Sequence, residues 1–472
     1  MNQLGNITEE FLAQIKLPDQ TGQKLNYLMV IPYKLTNKYA FPAGFGIVAA
    51  SLKASGRSVF TINLDIYEEP LNKLEEEIIS HRIDVVMVTG FSVEYQEIYN
   101  ILKKVKAINP AIITVVGGGI ISADPVTSMC ALENANYGMI GEGEISINSL
   151  AYAIEHQEDA SNLPGVICLK DGDWAVNMDF PEARDLDIIP YPDYKGFEYD
   201  RILNGESFTN KWTKRAGSNK IIYMNITRSC PFLCTFCFHT CGNHYRRMSM
   251  DAIFKFLDWI VENYPEVEAL SLDGELTFAS EAYAIEFCKR IKPYHLKWRA
   301  NTRADILTEK MLSVMKDSGC TSVMFGIESA CNNILKSMRK KITIEQVERA
   351  FELSERVGIY ARGTLIFGDP EETRETVRQT VEWYLKNRKW SDIDNFWNIT
   401  LGTIKAYPGT ALYKQACDRG IIKDKIQFLK DGCPPVNLSK LTEAEYQYLP
   451  ILIQKLYAPE ANVDIWNRQQ ME

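Results

Sequence analysis

The 472-residue sequence lacks the features of a membrane or secreted protein. It contains no apolar run of about 18 residues, the length that would cross a membrane. Its opening stretch, "MNQLGNITEEFLAQIKLPDQ", carries charges and has no apolar core, so it does not resemble a secretory signal. We therefore expect a cytoplasmic protein with no membrane span.

A surplus of positive charge is also missing. The formal net charge is -9 at pH 7, whereas proteins built to bind a nucleic-acid backbone usually carry a basic surplus. The basic runs "KWTKR" (211–215) and "HYRR" (244–247) are short and are typical of a solvated face. We expect no nucleic-acid partner.

The cysteines do not follow the pattern of a disulfide-stapled protein. They number 11, which is odd, and most are scattered through apparent helices and strands, so reduced thiols are expected. The exception is "RSCPFLCTFCFH" (228–239), in which Cys230, Cys234 and Cys237 lie close together among phenylalanines. Such crowding indicates a zinc site, an electron-transfer cluster or a more reactive metal centre.

The first 150 residues alternate short apolar strands with helical patterns. Strands this apolar are buried on both faces, which predicts a parallel, doubly wound, Rossmann-like α/β sheet over residues 1–150. In such sheets ligands bind at the carboxyl ends of the strands, and the glycines of "VVGGGIISADP" (115–125) fall at one of these ends. Residues 151–219 are rich in proline, aspartate and glycine, so we interpret them as a wrapping linker with one hairpin at "KDGDW".

From residue 220 a second and more regular alternation begins, with six strand–helix periods. This pattern predicts a partial or complete β/α barrel over residues 220–412, followed by a helical region over 413–472. The cysteine segment follows the first barrel strand, which places it at the face where barrel active sites lie.

Two kinds of metal site fit the cysteine segment. A structural zinc site or a closed cluster needs a fourth ligand, which Cys241, His239 or His244 could supply. The segment nevertheless lacks paired CxxC knuckles and the two-residue gaps and following proline of a ferredoxin run. The alternative is a [4Fe–4S] cluster held by three thiolates, whose fourth iron stays open to chelate a substrate or cosubstrate.

The Cx3Cx2C segment resembles the signature of the radical S-adenosylmethionine (SAM) superfamily, with Phe236 at its aromatic position. The resemblance implies a partial (β/α)6 barrel, a [4Fe–4S] cluster on Cys230, Cys234 and Cys237, and reductive cleavage of SAM to a 5′-deoxyadenosyl radical. Motifs at later strand ends, "LDGE", "NTRAD", "GIES" and "GTLIFGDPEET", are similar to the family's SAM-contacting segments. The SAM-binding residues that this resemblance implies are Phe236, Asp273, Gly274, Glu275, Arg303, Glu328, Ser329 and Gly368.

The N-terminal half resembles the cobalamin (B12)-binding domain of one branch of these enzymes, on "PAGFGIVAASLKASG", "VVGGGIISADP" and "GEGE" (141–144). The resemblance implies that cobalamin lies beside Gly44, Gly117, Gly118 and Gly119. No histidine precedes His81, so the Asp-x-His-x-x-Gly motif that binds cobalt from below is absent. Cobalamin would therefore bind without a histidine ligand, or the domain would serve as a scaffold only.

The resemblance makes an anaerobic, cobalamin-dependent methyltransferase acting on an unactivated carbon the leading hypothesis. A radical SAM dehydratase, reductase or rearrangement enzyme without cobalamin is the alternative. A redox relay or zinc-stabilised binding protein that uses Cys241 as a fourth ligand is a third possibility. The expected partners are a small-molecule or peptide substrate and a reductant such as flavodoxin or ferredoxin. The sequence assigns no general acid or base.

Overall fold

The computed structural model describes residues 4–33, 41–204, 218, 220–272, 274–387, 399–458 and 460–466. The chain divides into two compact units. The first comprises residues 1–208, 238–266 and 422–434, and the second comprises residues 209–237, 267–421 and 435–472.

The first unit is built on a seven-stranded sheet in the order β2-β1-β3-β4-β5-β6-β7. Its strands are β1 Asn26–Ile31, β2 Ser58–Asn63, β3 Val85–Thr89, β4 Ile113–Gly117, β5 Tyr137–Met139, β6 Val166–Lys170 and β7 Asp173–Val176. Strands β1 to β5 are parallel. The middle strands β1 and β3 are buried almost throughout, as expected of strands with helices on both faces. The doubly wound prediction is confirmed.

Eight helices of the first unit precede the cysteine segment within the described ranges. They are α1 Glu9–Leu12, α2 Ala43–Ala54, α3 Pro70–Ser80, α4 Tyr95–Ile108, α5 Gly119–Ala123, α6 Pro125–Ala131, α7 Ser146–His156 and α8 Tyr199–Asn204. Proline begins α3 and α6, where its missing N–H costs nothing.

The segment interpreted as a linker contributes to this sheet. Strands β6 and β7 form the expected hairpin, and β6 pairs antiparallel with β5, so the hairpin extends the sheet edge. Residue 150, the predicted domain boundary, lies inside helix α7. The place of the hairpin in the sheet could not be predicted from the sequence, because two short antiparallel strands at a sheet edge carry little periodicity of their own.

The helix that follows the cysteine segment, α9 Met250–Asn263, packs within the first unit. Phe256 on this helix stacks on Tyr191 with ring centroids 4.0 Å apart, and Trp259 lies against Tyr191 and Tyr194. These aromatic rings bury a large apolar area, so the helix is held by the preceding 191–194 segment. The compact units therefore do not follow the boundaries predicted from the sequence.

The second unit is built on a six-stranded parallel sheet whose strands are ordered as in the chain. They are β8 Ile221–Tyr223, β11 Ala269–Leu272, β12 Lys297–Asn301, β13 Cys320–Glu328, β14 Tyr360–Phe367 and β15 Ile399–Thr403. Two short strands, β9 Thr227–Arg228 and β10 Arg246–Arg247, flank the cysteine segment. Six parallel strands in chain order form a partial β/α barrel, which confirms that prediction.

The remaining helices in the described ranges are α10 Glu281–Ile291, α11 Glu309–Asp317, α12 Asn332–Ser337, α13 Ile344–Val357, α14 Arg374–Lys386, α15 Ala411–Asp418, α16 Lys425–Lys430 and α17 Glu443–Leu456. Most of those that follow a barrel strand begin at a serine or threonine whose hydroxyl accepts a backbone N–H of the first turn. No helix among the described residues is long and apolar enough to cross a bilayer.

Candidate active site at the cysteine loop

The cysteine loop, residues 229–237, lies in the second unit beyond the carboxyl end of strand β8. It begins at Ser229, which is buried and has a φ of 67°, a left-handed conformation that non-glycine residues rarely adopt. The backbone N–H of Cys237 donates to the carbonyl of Cys234 at 3.1 Å, which closes a turn between the last two thiols. The sequence Cx3Cx2C thus folds into a compact loop with a strained entry.

The surroundings of the three thiols disfavour a bare thiolate. Desolvation by neighbouring atoms raises the pKa of Cys230 and Cys234, and it raises the pKa of Cys237 to about 12. Cys237 is nevertheless exposed to solvent. Water can therefore reach this residue, although many protein atoms surround its thiol. A thiol in such a place becomes a thiolate when a metal ion replaces its proton.

A second segment, residues 338–341, supports the cysteine loop. We call this stretch, "MRKK", the support segment; it follows helix α12. The N–H of Thr235 donates to the carbonyl of Met338 at 3.1 Å, and the carbonyl of Thr235 accepts from the N–H of Leu412, also at 3.1 Å. The support segment could not be predicted from the sequence, because a short basic run carries no local signal that it packs against cysteines about a hundred residues earlier in the chain.

Arg303 links the support segment to the loop. Its guanidinium lies over the ring of Phe232, with Cζ 3.6 Å from the ring centroid. The same group binds both oxygens of Asp305, at 2.9 and 3.1 Å, and donates to the carbonyls of Lys340 and Lys341 at 3.2 Å. The structure therefore gives Arg303 a role in fixing the loop, and its predicted contact with the SAM carboxylate stays a prediction.

Lys340 and Glu328 form a buried ion pair beside the loop. Nζ of Lys340 lies 2.6 Å from Oε1 of Glu328, and the two side chains are only 13% and 6% exposed. The ammonium group also lies 6.0 Å from the centroid of the Phe236 ring, so the predicted aromatic residue and the predicted acid share one neighbour. Burial alone would lower the pKa of Lys340, but the Glu328 carboxylate outweighs it and the pKa is raised.

A bulge at the end of β13 makes room for this pair. The pairing with β14 shifts register between Gly326 and Glu328, and Glu328 has a φ of 65°. A Cβ on Gly326 would lie 1.7 Å from Oε1 of Glu328 and 2.4 Å from Nζ of Lys340. Only glycine at this position lets the carboxylate and the ammonium meet over the strand end.

The "LDGE" motif lies at the end of strand β11, which pairs with β8, the strand before the cysteine loop. Asp273 lies outside the described residues. Gly274 is buried, and a Cβ there would meet Oγ1 of Thr227 at 2.2 Å, while its carbonyl accepts from Nδ2 of Asn301 at 3.0 Å. Glu275 is exposed, and its negative charge raises the pKa of Cys230 and Cys237 beyond the effect of burial.

Ser329 and Gly368 have protein partners of their own. Oγ of Ser329 lies 3.2 Å from Oγ1 of Thr380 and accepts from the N–H of Cys331 at 3.1 Å. Gly368 has a φ of 109°, and its N–H donates to Oε2 of Glu372 at 2.5 Å. The structure thus brings Phe236, Arg303 and Glu328 together around the loop, and it leaves the SAM contacts of Ser329 and Gly368 as predictions.

The loop suits an iron–sulfur cluster in the chemistry of its donors. It offers three soft thiols, and Oγ1 of Thr235 is buried with no hydrogen-bond partner among the described residues, as expected of a donor that faces a missing acceptor. In the described part of the chain, no group of three or more His, Cys, Asp or Glu side chains has the arrangement needed to hold a metal ion.

The predicted cobalamin glycines in the first unit fall into two groups. A Cβ on Gly118, which has a φ of 82°, would meet Oγ1 of Thr89 at 2.6 Å, and a Cβ on Gly119 would meet the Phe91 ring at 2.5 Å. Glycine at these two positions therefore allows close packing against the end of strand β3 and the residues that follow it. A Cβ on Gly117 would meet only Met139, at 3.6 Å, and a Cβ on Gly44 would meet nothing within 4 Å.

The open position at Gly44 fits a bound cofactor. Gly44 lies in the first turn of the 12-residue helix α2, whose amino end has no side-chain cap in the described structure. Its backbone N–H groups carry partial positive charge and can receive oxygen acceptors. His81, the first histidine of the chain, precedes strand β3 and so lies at the amino ends of the strands, opposite the ends where ligands are expected. Its ring stacks on Phe60, with ring centroids 3.9 Å apart.

Comparisons with known proteins agree with this geometry. Residues 224–384 match the Radical SAM superfamily, and residues 36–151 match the B12 binding domain. An uncharacterised methyltransferase from Pyrococcus horikoshii is 29% identical over 344 residues, which cover 72% of this chain and 70% of that protein. An anaerobic magnesium-protoporphyrin IX monomethyl ester cyclase from Rubrivivax gelatinosus is 27% identical over 394 residues, covering 80% of this chain and 66% of that protein.

A solved structure shows the same fold. The radical S-adenosylmethionine methyltransferase TsrM from Kitasatospora setae, with tryptophan and a SAM analog bound, superposes with a TM-score of 0.67 at 18% identity. The superposition covers 83% of this chain and 76% of TsrM.

A parallel partial barrel with a three-cysteine loop at its strand ends, on the same chain as a doubly wound cobalamin-type sheet, defines a radical SAM enzyme architecture. The chain carries a radical SAM domain over residues 224–384 and, ahead of it, a B12-binding domain over residues 36–151. The radical SAM domain implies SAM and a [4Fe–4S] cluster as cofactors, and the B12-binding domain supports cobalamin.

Proposed function

We propose that this protein is a cobalamin-dependent radical SAM methyltransferase that acts on an unactivated carbon. The observation that carries the proposal is the presence, in one chain, of a Cx3Cx2C loop at a barrel strand end and a B12-binding domain with an open helix start at Gly44. When bound, the cluster supplies the electron that cleaves SAM, and cobalamin supplies a carrier for the methyl group.

Within the second unit, the protein's own residues hold and orient the reactants. Cys230, Cys234 and Cys237 are the proposed cluster ligands. The proposed SAM-binding residues are Phe236, Asp273, Gly274, Glu275, Arg303, Glu328, Ser329 and Gly368. Arg303 fixes the cysteine loop through its contact with Phe232. Reactants held in a fixed geometry react faster, so this support would contribute to the reaction rate.

Within the first unit, Gly44 and Gly117 are the proposed cobalamin contacts that leave room for a ligand, and Gly118 and Gly119 shape the loop behind them. The α2 amino end would receive acceptor atoms of the cofactor. Because no histidine precedes His81, we propose that the cobalt has no histidine ligand from this domain.

The proposed setting is the reduced cytoplasm of an anaerobic cell, with flavodoxin or ferredoxin as the electron donor and no nucleic-acid partner. All eleven cysteines lie in the described part of the chain and none is in a disulfide, which supports a reducing setting. The named relatives act on chemically unlike compounds, since the Rubrivivax gelatinosus protein is a magnesium-protoporphyrin ester cyclase and TsrM was solved with tryptophan. We therefore propose a small-molecule or peptide substrate without naming one.

Replacing single cysteines tests the cluster site. Anaerobically purified Cys230→Ala, Cys234→Ala or Cys237→Ala protein should lose most of its iron and sulfide, because three thiolates are the minimum that holds the cluster with one iron open. Cys241→Ala is the matched control, and it should retain iron, sulfide and the SAM-induced change in the cluster spectrum. Loss of the cluster in Cys241→Ala would instead support the redox-relay or zinc interpretation.

SAM turnover and cofactor content test the reaction class. Reduced, reconstituted protein should form 5′-deoxyadenosine from SAM and, with hydroxocobalamin loaded, should also convert SAM to S-adenosylhomocysteine while cobalamin becomes methylated. Formation of 5′-deoxyadenosine by protein that binds no corrinoid would favour the dehydratase, reductase or rearrangement alternative. Cleavage of no SAM by iron-replete, reduced protein would contradict the proposal.

A further inference from the structure

Cys241 follows the last cysteine of the loop at the same spacing that separates Cys230 from Cys234. A gap of three residues is within the usual spacing of metal-binding cysteine pairs, so chain length alone does not keep Cys241 from becoming a fourth ligand. We propose that an ion pair between Glu142 and Arg246 holds the Cys241 backbone within the first unit and thereby keeps the fourth iron open for SAM. This inference rests on the proposed function, because it requires a cluster on the cysteine loop.

The ion pair is buried and has two points of contact. Nη1 and Nη2 of Arg246 donate to the two carboxylate oxygens of Glu142, and the distance from Nη1 to Oε2 is 3.0 Å. The two side chains are 10% and 2% exposed. A guanidinium and a carboxylate that meet through two parallel bonds fix each other's orientation as well as their distance. The pair is therefore a firm anchor within the first unit.

The same guanidinium holds the chain that continues from the cysteine loop. Nη2 of Arg246 donates to the carbonyl of Cys241 at 3.2 Å, and Nε donates to the carbonyl of His244, also at 3.2 Å. Nη1 donates to the carbonyl of Ala183 at 2.8 Å. Every nitrogen of the guanidinium thus has a protein acceptor, and one of these acceptors fixes the backbone at Cys241.

Glu142 is itself fixed from a second direction. It belongs to the "GEGE" motif, which follows strand β5 of the first sheet. Its Oε2 also accepts the N–H of Ala183 at 2.8 Å. The first glutamate of the motif therefore has a role within the chain, which is to bind Arg246 and the backbone at Ala183.

A further contact holds the residue directly after Cys241. Gly242 has a φ of 72°, and a Cβ there would lie 2.7 Å from Oε1 of Glu182. The other carboxylate oxygen of Glu182 lies 2.9 Å from Nδ1 of His244. The His244 side chain is 81% exposed, so this second pair contributes less than the buried one. Both pairs hold the chain on either side of Gly242.

These contacts decide where Cys241 can go. The cysteine loop ends in the second unit at Cys237, whereas residues 238–266 belong to the first. Cys241 therefore stays with the first unit as long as Arg246 binds its carbonyl. Without that bond, the Cys241 thiol could lose its proton and bind the open iron in competition with SAM, since iron–sulfur clusters favour thiolate ligands.

The experiment measures the change that SAM causes in the electron paramagnetic resonance of the reduced cluster, in full-length protein reconstituted with iron and sulfide. Arg246→Met should retain its cluster and show a SAM-induced change several-fold smaller than that of wild-type protein. Adding Cys241→Ala to Arg246→Met should restore the change, because no thiol is then left to occupy the iron. Arg247→Met removes the same charge from the exposed neighbouring side chain and should respond to SAM like wild-type protein.

Restoration of the SAM response by Cys241→Ala supports the proposal, because a purely structural role of Arg246 would not depend on Cys241. A full SAM response in Arg246→Met overturns the proposal, and so does a lost response that Cys241→Ala fails to restore. Should Arg246→Met not fold, Glu142→Gln, with and without Cys241→Ala, decides by the same outcomes. Absence of a SAM response from wild-type protein would overturn the proposed function instead, so the two failures are distinguishable.

Discussion

The glycines at the predicted cobalamin site differ in what lies where a side chain would be. Gly118 combines a φ of 82° with protein atoms 2.6 Å from a would-be Cβ, whereas Gly44 has open space there. The first arrangement explains a glycine by packing and backbone conformation alone. At Gly44 neither packing nor backbone conformation requires a glycine, so the proposed cobalamin contact can be tested there without disturbing the fold.

This difference predicts opposite results for two alanine variants. Gly118→Ala should lower the free energy of unfolding by at least about 1 to 2 kcal/mol, because alanine is strained at positive φ and would meet Thr89. Gly44→Ala should keep or slightly raise stability, by about 0.5 kcal/mol, since alanine favours a helix. It should nevertheless weaken cobalamin binding, measured by equilibrium dialysis. Unchanged cobalamin affinity in Gly44→Ala would remove this residue from the site.

Glu372 predicts a pH dependence of stability. Its burial raises its pKa from the ordinary 4.5 to about 8. The folded state therefore holds this proton more tightly than the unfolded state, so the stabilisation is fully present below about pH 4.5 and is lost as pH rises through about 8.

The measurement is chemical unfolding of wild-type and Glu372→Gln protein at several pH values. Between pH 5 and 8 the wild-type free energy of unfolding should fall by up to about 1.4 kcal/mol per pH unit from this group alone. Glu372→Gln should show a shallower slope, and its stability relative to wild-type protein should rise with pH. Parallel slopes in the two proteins would show that Glu372 does not titrate in this range.

At the scale of elements, the cysteine loop depends on parts of the chain far from it in sequence. The support segment accepts the Thr235 N–H through Met338, and Arg303 connects its carbonyls to Phe232. Planar stacking on one face and forked donation at the edge are properties of arginine that lysine lacks. The loop is therefore held by its own Cys234–Cys237 turn and also by residues distant in sequence, at Arg303, the support segment and Leu412.

Arg303→Lys tests this support. Lysine keeps the charge and loses the stacking on Phe232 and the paired bonds to Asp305, so the loop should loosen and iron should be lost several-fold faster to a chelator in anaerobic buffer. Arg356→Lys, in the exposed pair with Glu309, is the matched control and should behave like wild-type protein. Equal rates of iron loss in all three proteins would show that Arg303 does not hold the loop.

The elements that the sequence predicts well are those with a local signal. The six barrel strands, the parallel first sheet and the cysteine loop at a strand end all follow from apolar runs, glycines and cysteine spacing. The β6–β7 hairpin falls in a stretch with the composition of a linker, and its role as a sheet edge depends on β5. The Lys340–Glu328 pair could not be predicted, since it depends on a bulge at Gly326 that has no pattern in a single sequence.

At the scale of the whole molecule, the proposed cluster ligands and the proposed cobalamin glycines belong to different compact units of the chain. Each unit is built on parallel strands, with an antiparallel hairpin at one edge of the first sheet, and the proposed binding residues lie at the carboxyl ends of the parallel strands, where α/β folds favour binding. The chain folds these units from interleaved segments, because residues 238–266 and 422–434 belong with the first. We therefore expect the first unit to be destabilised in a chain truncated after residue 219, because that chain lacks helix α9. In chemical unfolding, the truncated chain should lose the cooperative transition of the first unit.

The central claim is that three cysteines, and no fourth protein ligand, hold a cluster whose remaining iron binds SAM. Electron paramagnetic resonance of the reduced cluster, recorded with and without SAM in wild-type and Cys241→Ala proteins, tests it most directly. We predict a signal that SAM changes equally in both proteins. A signal that SAM leaves unchanged, or that disappears in Cys241→Ala, would contradict the claim.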